Sequence, residues 1–271
     1  MTQPKHAHAI ELATVPNLRD LGGWVTADGR KVQTGRVYRS TELHRLAGDD
    51  RTKFEELGIT LIFDLRTAAE RQAAPDPDLP GVTDVPLDVL ADSATAIPAH
   101  LNAVLADPAM VAKANEALGG GKAESLIEGT YRQIVTLPSA RAAYRRFYEE
   151  LAEPSTSGAA LFHCTTGKDR TGWAAATFLT VLGVSRDEVF EDYLLTNDEL
   201  IPALHPIFAA FEKAGGDPDV LSALLGVRRE YLEGAFDEMV KEFGDIDGYF
   251  TKGLGLDASV PEKLRERYLE Q

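Results

Sequence analysis

Cysteine is almost absent from this sequence, since Cys164 is the only one among 271 residues. A single cysteine forms no internal disulfide, which excludes a small secreted scaffold held together by disulfides. The free thiol suits a reducing compartment. The N-terminal residues contain no apolar signal core. We therefore expect a cytoplasmic protein, with export without a signal peptide left open.

Positive charge and long apolar segments are also scarce. The 28 lysines and arginines face 43 aspartates and glutamates, so the formal net charge is −15. Nucleic acid or an anionic membrane would require a clustered basic surface, and neither is expected as a partner. No apolar run approaches the length that spans a bilayer, so we expect no integral membrane association. Any positive field must be local to a pocket.

The most informative stretch runs from Leu161 to Gly172 and reads LFHCTTGKDRTG. Residues 158–162 have the apolar character of a buried strand, and residues 173–182 that of a buried helix. The backbone N–H groups of the loop between them and the dipole of the helix predict an anion site, for which phosphate is the natural occupant. Arg170 can hold two oxyanions at once. The same positive field favours the thiolate of Cys164, which would be a nucleophile; the alternative is a buried structural cysteine.

Five residues separate Cys164 from Arg170, and Thr171 follows. This pattern resembles the signature loop of the cysteine-dependent protein tyrosine phosphatases. Three earlier segments resemble a bacterial, atypical group of that family, the mycobacterial B-type phosphatases. They are NLRD at 17–20, GRVYRS at 35–40, and DLR at 64–66 with Glu70 nearby.

The resemblance implies an α/β fold with a central, mostly parallel sheet flanked by helices and with a helical, lid-like insertion. Residues 1–271 would form a single phosphatase domain, with mobile or lid segments near 89–124 and 200–226. An ordinary helical hairpin is the alternative for the second segment. No cofactor and no metal are implied, and the oligomeric state is undetermined.

The resemblance also assigns the reaction. Cys164 attacks phosphorus and forms a phosphocysteine that water hydrolyses, while Arg170 grips the equatorial oxygens. Asp169 is expected to protonate the leaving group, because a Lys-Asp pair before the arginine is characteristic of the resembled group. Asp84 or Asp88, on a separate upstream loop, is the alternative acid.

The other loop residues are expected to bind the substrate or support its binding. They are His163, Thr165, Thr166, Gly167, Lys168 and Thr171. His163 is expected to orient the loop, with a core histidine as the alternative. Thr171 can donate to the sulfur of the leaving thiolate, or cap the helix. Lys168 suits a phosphoinositide substrate, or it forms a salt bridge.

Substrates implied by the resemblance are phosphotyrosine, phosphoserine or phosphothreonine, and phosphoinositides. A phosphoinositide phosphatase with little protein activity is an alternative that would use the same Cys164. A sulfurtransferase would carry a persulfide on the cysteine but has no need of Thr171 or Asp169. A non-catalytic phosphate-binding module is disfavoured, because a nucleophile, an arginine, a hydroxyl and an acid are all present.

Other patterns predict the elements around the loop. We expect strands at 35–40 and 59–65, a helix near 50–57 that Gly58 ends, and a helix at 125–151 whose aromatic residues belong to the core. Capping boxes at Ser185–Glu188 and Ser259–Glu262 each predict a helix start. An apolar helix is expected at 201–211, followed by a break at 215–218 and a further apolar segment at 220–225.

Overall fold

The computed structural model describes residues 8–93, 108–153 and 158–270. Its sheet has the strand order β1-β2-β5-β3-β4. The strands are β1 (Arg19–Asp20), β2 (Val37–Ser40), β3 (Ile59–Asp64), β4 (Thr83–Pro86) and β5 (Ala159–His163). β1 runs antiparallel to β2, and all other neighbours are parallel. The predicted α/β fold with a mostly parallel central sheet is confirmed.

Helices lie against both faces of this sheet. They are α1 (Gly48–Glu55), α2 (Ala68–Ala73), α3 (Pro108–Leu118), α4 (Lys122–Thr136), α5 (Pro138–Ala152), α6 (Arg170–Leu182), α7 (Arg186–Lys213), α8 (Pro218–Leu225), α9 (Arg229–Phe243), α10 (Ile246–Gly248), which leads into a π-helical turn (Tyr249–Gly253), and α11 (Val260–Tyr268). Of the helices in the described ranges, none is both long enough and apolar enough to cross a membrane.

The central strands are apolar along their whole length because both faces are covered. Phe63 and Phe162 point into the larger of two hydrophobic clusters. Ile62 and Leu161 point into the smaller one, beside Phe54 of α1. The aromatic residues of α4 and α5 join the larger cluster as predicted; Tyr131, Tyr144, Phe147 and Tyr148 are buried.

Two predicted helix boundaries are wrong, and proline is involved in both. The segment at 201–211 is not a separate helix, because α7 continues through Pro202 and Pro206 to Lys213. Buried Leu200 and Phe211 hold this stretch against the protein despite the missing proline N–H groups. Conversely, the predicted helix at 125–151 is two helices. Leu137 leaves the helical conformation immediately before Pro138, where the α region is disfavoured.

The two predicted capping boxes have different outcomes. Ser185 and Glu188 form the predicted reciprocal cap at the start of α7. The Ser259 side chain does not cap α11, because its hydroxyl donates to Asp257 instead. Of the first predicted lid segment, residues 94–107 lie outside the described residues. The second comprises the end of α7 and all of α8, and its movement stays a prediction.

Candidate active site

The loop from Cys164 to Asp169 lies where three parallel strands end. Ser40 of β2 and Asp64 of β3 are the register partners of His163, the last residue of β5. Cys164 follows at once, and α6 begins at Arg170. The strand, loop and helix therefore stand in the predicted order.

Hydrogen bonds from outside the loop hold its successive carbonyl groups. His163 Nδ1 donates to the Cys164 oxygen at 3.3 Å, and Glu42 N donates to the Thr165 oxygen at 3.2 Å. Asn17 Nδ2 donates to the Thr166 oxygen at 3.4 Å and to the Gly167 oxygen at 3.1 Å. A terminal nitrogen of Arg39 also donates to the Gly167 oxygen, at 2.9 Å. A trans peptide is planar, so the N–H after each carbonyl points away from its donor. Within the described part of the chain, nothing accepts a hydrogen bond from the N–H groups of residues 165–168. The loop therefore offers four free N–H groups to an anion.

Gly167 is required by this conformation. Its φ is +66°, in the left-handed region that favours glycine. A Cβ at this position would lie 2.3 Å from the backbone oxygen of Ser40. No other residue type fits without moving the loop away from β2.

Glu70 of α2 orients Arg170. Its two oxygens accept from the two terminal nitrogens of Arg170 at 2.7 and 2.8 Å. The Glu70 carboxylate also accepts from the Thr165 hydroxyl at 2.6 Å and from Thr67 N at 2.8 Å. This two-pronged contact fixes the plane of the guanidinium group. No residue in the described ranges accepts from Arg170 Nε, so that edge is available to an oxyanion.

The pairing keeps both groups charged. Burial by itself would raise the pKa of Glu70, but the hydrogen bonds and charge of Arg170 hold that pKa well below its usual range. Burial would lower the pKa of Arg170, whereas Glu70 and the nearby Cys164 raise it above its ordinary value. A fixed cation therefore stands beside Cys164.

Asp169 lies at the entrance to α6 but does not cap that helix with its side chain. Its carboxylate accepts from Lys168 Nζ at 2.7 Å, so the salt bridge considered for Lys168 is present. Two buried phenols, those of Tyr131 and Tyr193, lie 2.6 Å apart. Burial and then the charge of Asp169 raise the pKa of both well above the usual value. Asp169 thus adjoins one cation and a pair of neutral hydroxyl groups.

His163 is fully buried at the end of β5. Its Nε2 lies 3.1 Å from a carboxylate oxygen of Asp76. Burial lowers the pKa of His163, but Asp76 and Asp64 outweigh that effect and raise the pKa above its ordinary value. This position suits orientation of the loop through the Cys164 carbonyl, and we do not assign His163 to substrate contact.

Cys164 and Thr171 are both buried. The Thr171 hydroxyl has no hydrogen-bond partner among the described residues. Neither contact considered for it, to the sulfur or to the helix end, is made in this structure. The hydroxyl is therefore a donor still available for catalysis.

The alternative acids lie elsewhere. Asp84 on β4 lines a cavity of about 330 Å³ together with Asp64, Arg66 and Asp76. Burial and the charges of Asp64 and Asp76 raise the pKa of Asp84. Asp88 accepts hydrogen bonds from Ala68 N and Leu90 N. No hydrogen bond or ion pair joins either aspartate to residues 164–170 in the described structure.

One cluster in the described ranges has the composition of a metal site. Ligand atoms of Asp64, Asp76 and His163 lie within 4.8 Å of one another. However, Arg66 donates to Asp64 and to Asp76, each at 2.7 Å. A protein cation already neutralises the carboxylates, so we assign no metal to this cluster.

Four residues of the site have roles that sequence reasoning missed. Asn17, Arg39 and Glu70 contact the loop directly, and Asp192 of α7 binds Arg39. The first three lie in or beside the segments that carry the family resemblance. The resemblance identified the segments in which they lie, but it did not predict which residues they contact.

Comparison with known proteins gives consistent matches. The model of the tyrosine phosphatase family matches residues 10–270. A candidate tyrosine-protein phosphatase of Cupriavidus necator is 29% identical over 286 residues, covering 97% of this chain and 89% of that protein. The triple specificity protein phosphatase PtpB of Mycobacterium tuberculosis is 30% identical over 276 residues, covering 94% and 97%.

The family model thus covers nearly the whole chain, and the matched residues include Glu70 and the loop from Cys164 to Asp169. The chain belongs to the tyrosine phosphatase family and is a phosphoric monoester hydrolase.

Proposed function

We propose that this protein hydrolyses phosphotyrosine through a phosphocysteine intermediate, and that it also accepts phosphoserine, phosphothreonine and phosphoinositides. The observation that carries the proposal is the loop itself, because it combines four free N–H groups directly after Cys164 with the oriented guanidinium group of Arg170. The M. tuberculosis relative is named for triple specificity, which supports a range beyond phosphotyrosine.

In the first step the Cys164 thiolate attacks phosphorus, and the bond from phosphorus to the leaving oxygen breaks. The loop N–H groups and Arg170 bind the three equatorial oxygens, whose charge they stabilise most as the phosphoryl group flattens. Asp169 gives its proton to the leaving oxygen. The products are the phosphocysteine and the free alcohol or phenol.

In the second step a water molecule attacks the phosphocysteine, and the bond between phosphorus and sulfur breaks. Asp169, now a carboxylate, takes the proton of that water. The unpartnered Thr171 hydroxyl donates a hydrogen bond to the departing sulfur. Inorganic phosphate leaves, and the thiolate and the protonated Asp169 are restored.

Lys168 connects substrate binding to the acid. Its ammonium group contacts the carboxylate of Asp169 at 2.7 Å. The oxygens of an entering phosphate compete for the same ammonium. Movement of Lys168 towards the phosphate would free the Asp169 carboxyl group to face the leaving oxygen.

The test compares turnover of a phosphotyrosine peptide, a phosphoserine peptide, a short-chain phosphoinositide and an aryl phosphate with a good leaving group. We expect Cys164→Ser to abolish turnover of all four. Asp169→Asn should lower kcat by about 10²- to 10⁴-fold on phosphoserine, whose leaving group needs a proton, and much less on the activated aryl phosphate. It should also remove the fall of kcat at high pH.

Asp84→Asn and Asp88→Asn are the matched controls, and both should keep the pH profile of the wild type. If Asp88→Asn or Asp84→Asn removed the high-pH fall instead, the acid would be misassigned. Thiosulfate turnover without phosphate release would replace the proposal with a sulfurtransferase. Activity confined to the phosphoinositide would restrict the substrate range to lipids.

A further inference from the structure

Two buried arginines share one buried aspartate beside the catalytic loop. Arg39 donates to Asp192 at 2.6 Å, and Arg19 donates to the other oxygen of Asp192 at 2.8 Å. The arginine side chains have no exposed surface, and that of Asp192 is 3% exposed. We call Arg19, Arg39 and Asp192, together with Asn17, the rear cluster.

The rear cluster reaches the loop at the Gly167 carbonyl. Arg39 uses one terminal nitrogen for Asp192 and the other for this carbonyl, at 2.9 Å. Asn17 donates to the same oxygen at 3.1 Å, and its own side-chain oxygen accepts from Arg19. Every member is therefore linked to the peptide that joins Gly167 to Lys168.

The cluster is costly in stability. Two guanidinium groups and one carboxylate leave one unneutralised positive charge in the interior, and burial of such a charge is unfavourable. Burial, with the neighbouring Arg19, lowers the pKa of Arg39 to about 10. Asn17 has φ +60°, in the left-handed region that is uncommon for residues other than glycine and that asparagine tolerates better than most. Such features persist where they serve function.

We propose that Arg39 and Asn17 are positioning residues for phosphate binding: they fix the Gly167 peptide so that the Lys168 N–H points at the anion. Arg19 and Asp192 hold the two in place. The excess positive charge of the rear cluster adds attraction for a phosphate dianion. The inference rests on the proposed function for its effect on turnover, but its effect on anion binding is independent of turnover.

The forked shape of arginine is essential to this role. Arg39 spans a carboxylate and a carbonyl at the same time, each with a separate nitrogen. A lysine carries the same charge at a single point and cannot reach both acceptors in their fixed positions. Arg39→Lys therefore retains the charge but loses one of the two contacts.

The experiment measures binding of inorganic phosphate by calorimetry, and kcat and KM separately, for Arg39→Lys and Asn17→Asp. The second variant keeps the shape of the side chain but places an oxygen opposite the Gly167 carbonyl. We expect phosphate to bind roughly tenfold or more weakly in both, with KM raised and kcat lowered. Arg265→Lys is the matched control, because Arg265 Nε also holds a backbone carbonyl, that of Val181 at the far end of α6.

The split between binding and turnover separates positioning from simple loss of structure. A partly unfolded variant would have fewer active molecules, which lowers kcat and leaves KM unchanged. Unchanged phosphate affinity and KM in a folded Asn17→Asp variant would overturn the proposal, as would an equal loss in Arg265→Lys. If the wild type bound phosphate but hydrolysed none of the substrates, the proposed function would fail while the binding comparison still tested the rear cluster.

Discussion

Glu70 shows how much one carboxylate can organise. It accepts four hydrogen bonds, two from Arg170, one from Thr165 and one from the Thr67 N–H. All four donors lie within the site or at the start of α2. The orientation of Arg170, which we propose binds phosphate, therefore depends on a residue outside the loop.

Glu70→Gln tests this dependence. Glutamine has one oxygen and an NH₂ group, so one terminal nitrogen of Arg170 would face another donor. We expect kcat/KM to fall by roughly 10- to 100-fold, the size of a lost hydrogen bond to a charged group. Steady-state kinetics measure the change. Glu149→Gln, which breaks an exposed pair with Arg145, serves as the control and should have no effect.

The element that carries Glu70 is α2, a helix of only six residues. Thr67 caps it with a reciprocal box, in which the Thr67 hydroxyl accepts from Glu70 N at 3.2 Å and Glu70 accepts from Thr67 N. So short a helix has little stability of its own. The cap therefore fixes both the helix and the carboxylate that holds Arg170.

Thr67→Ala should lower the free energy of unfolding by about 1 kcal/mol and reduce kcat/KM roughly three- to tenfold, because the first turn of α2 loses the hydroxyl that accepts from Glu70 N and holds Glu70 less firmly. Ser185→Ala removes the same kind of cap from α7. It should cost similar stability in urea denaturation without altering kcat/KM. Equal activity in the two variants would show that α2 does not need its cap to orient Arg170.

At the scale of the whole molecule, His163 makes stability depend on pH. Its ring is enclosed by the ends of the strands, beside Asp76 and Asp64, and its pKa is raised above the ordinary value near 6.5. A group with a raised pKa binds its proton more tightly in the folded protein. The stability it contributes is therefore complete below pH 6.5 and is lost as the pH rises through the folded pKa.

We accordingly expect the difference in Tm between wild type and His163→Gln to be largest below pH 6.5 and to narrow as the pH rises. Thermal unfolding followed between pH 5.5 and 9 measures it. His205→Gln, at an exposed position on α7, should give the same curve as the wild type. A difference that widened with rising pH would mean that His163 is neutral in the folded protein.

The candidate catalytic residues of the loop could be identified from the sequence because they are neighbours in the chain. Cys164, Asp169 and Arg170 lie within seven consecutive residues. The flanking strand and helix follow from apolar content alone, since both elements are buried on all sides. The local sequence pattern gave the wrong boundary for α7, because tertiary contacts keep that helix continuous across its two prolines.

The sequence by itself determined that a loop holding Cys164 and Arg170 follows a buried strand and leads into a buried helix, whereas the catalytic roles of these residues stay predictions. Only the tertiary structure decided what holds them. Glu70 and Arg170 are 100 residues apart, Arg39 and Gly167 are 128 apart, and Asn17 and Gly167 are 150 apart. Periodicity and local propensity describe residues that are neighbours in the chain, so they cannot predict hydrogen bonds between residues this far apart. The folded chain brings these partners together, and the buried network that they form depends on all of them.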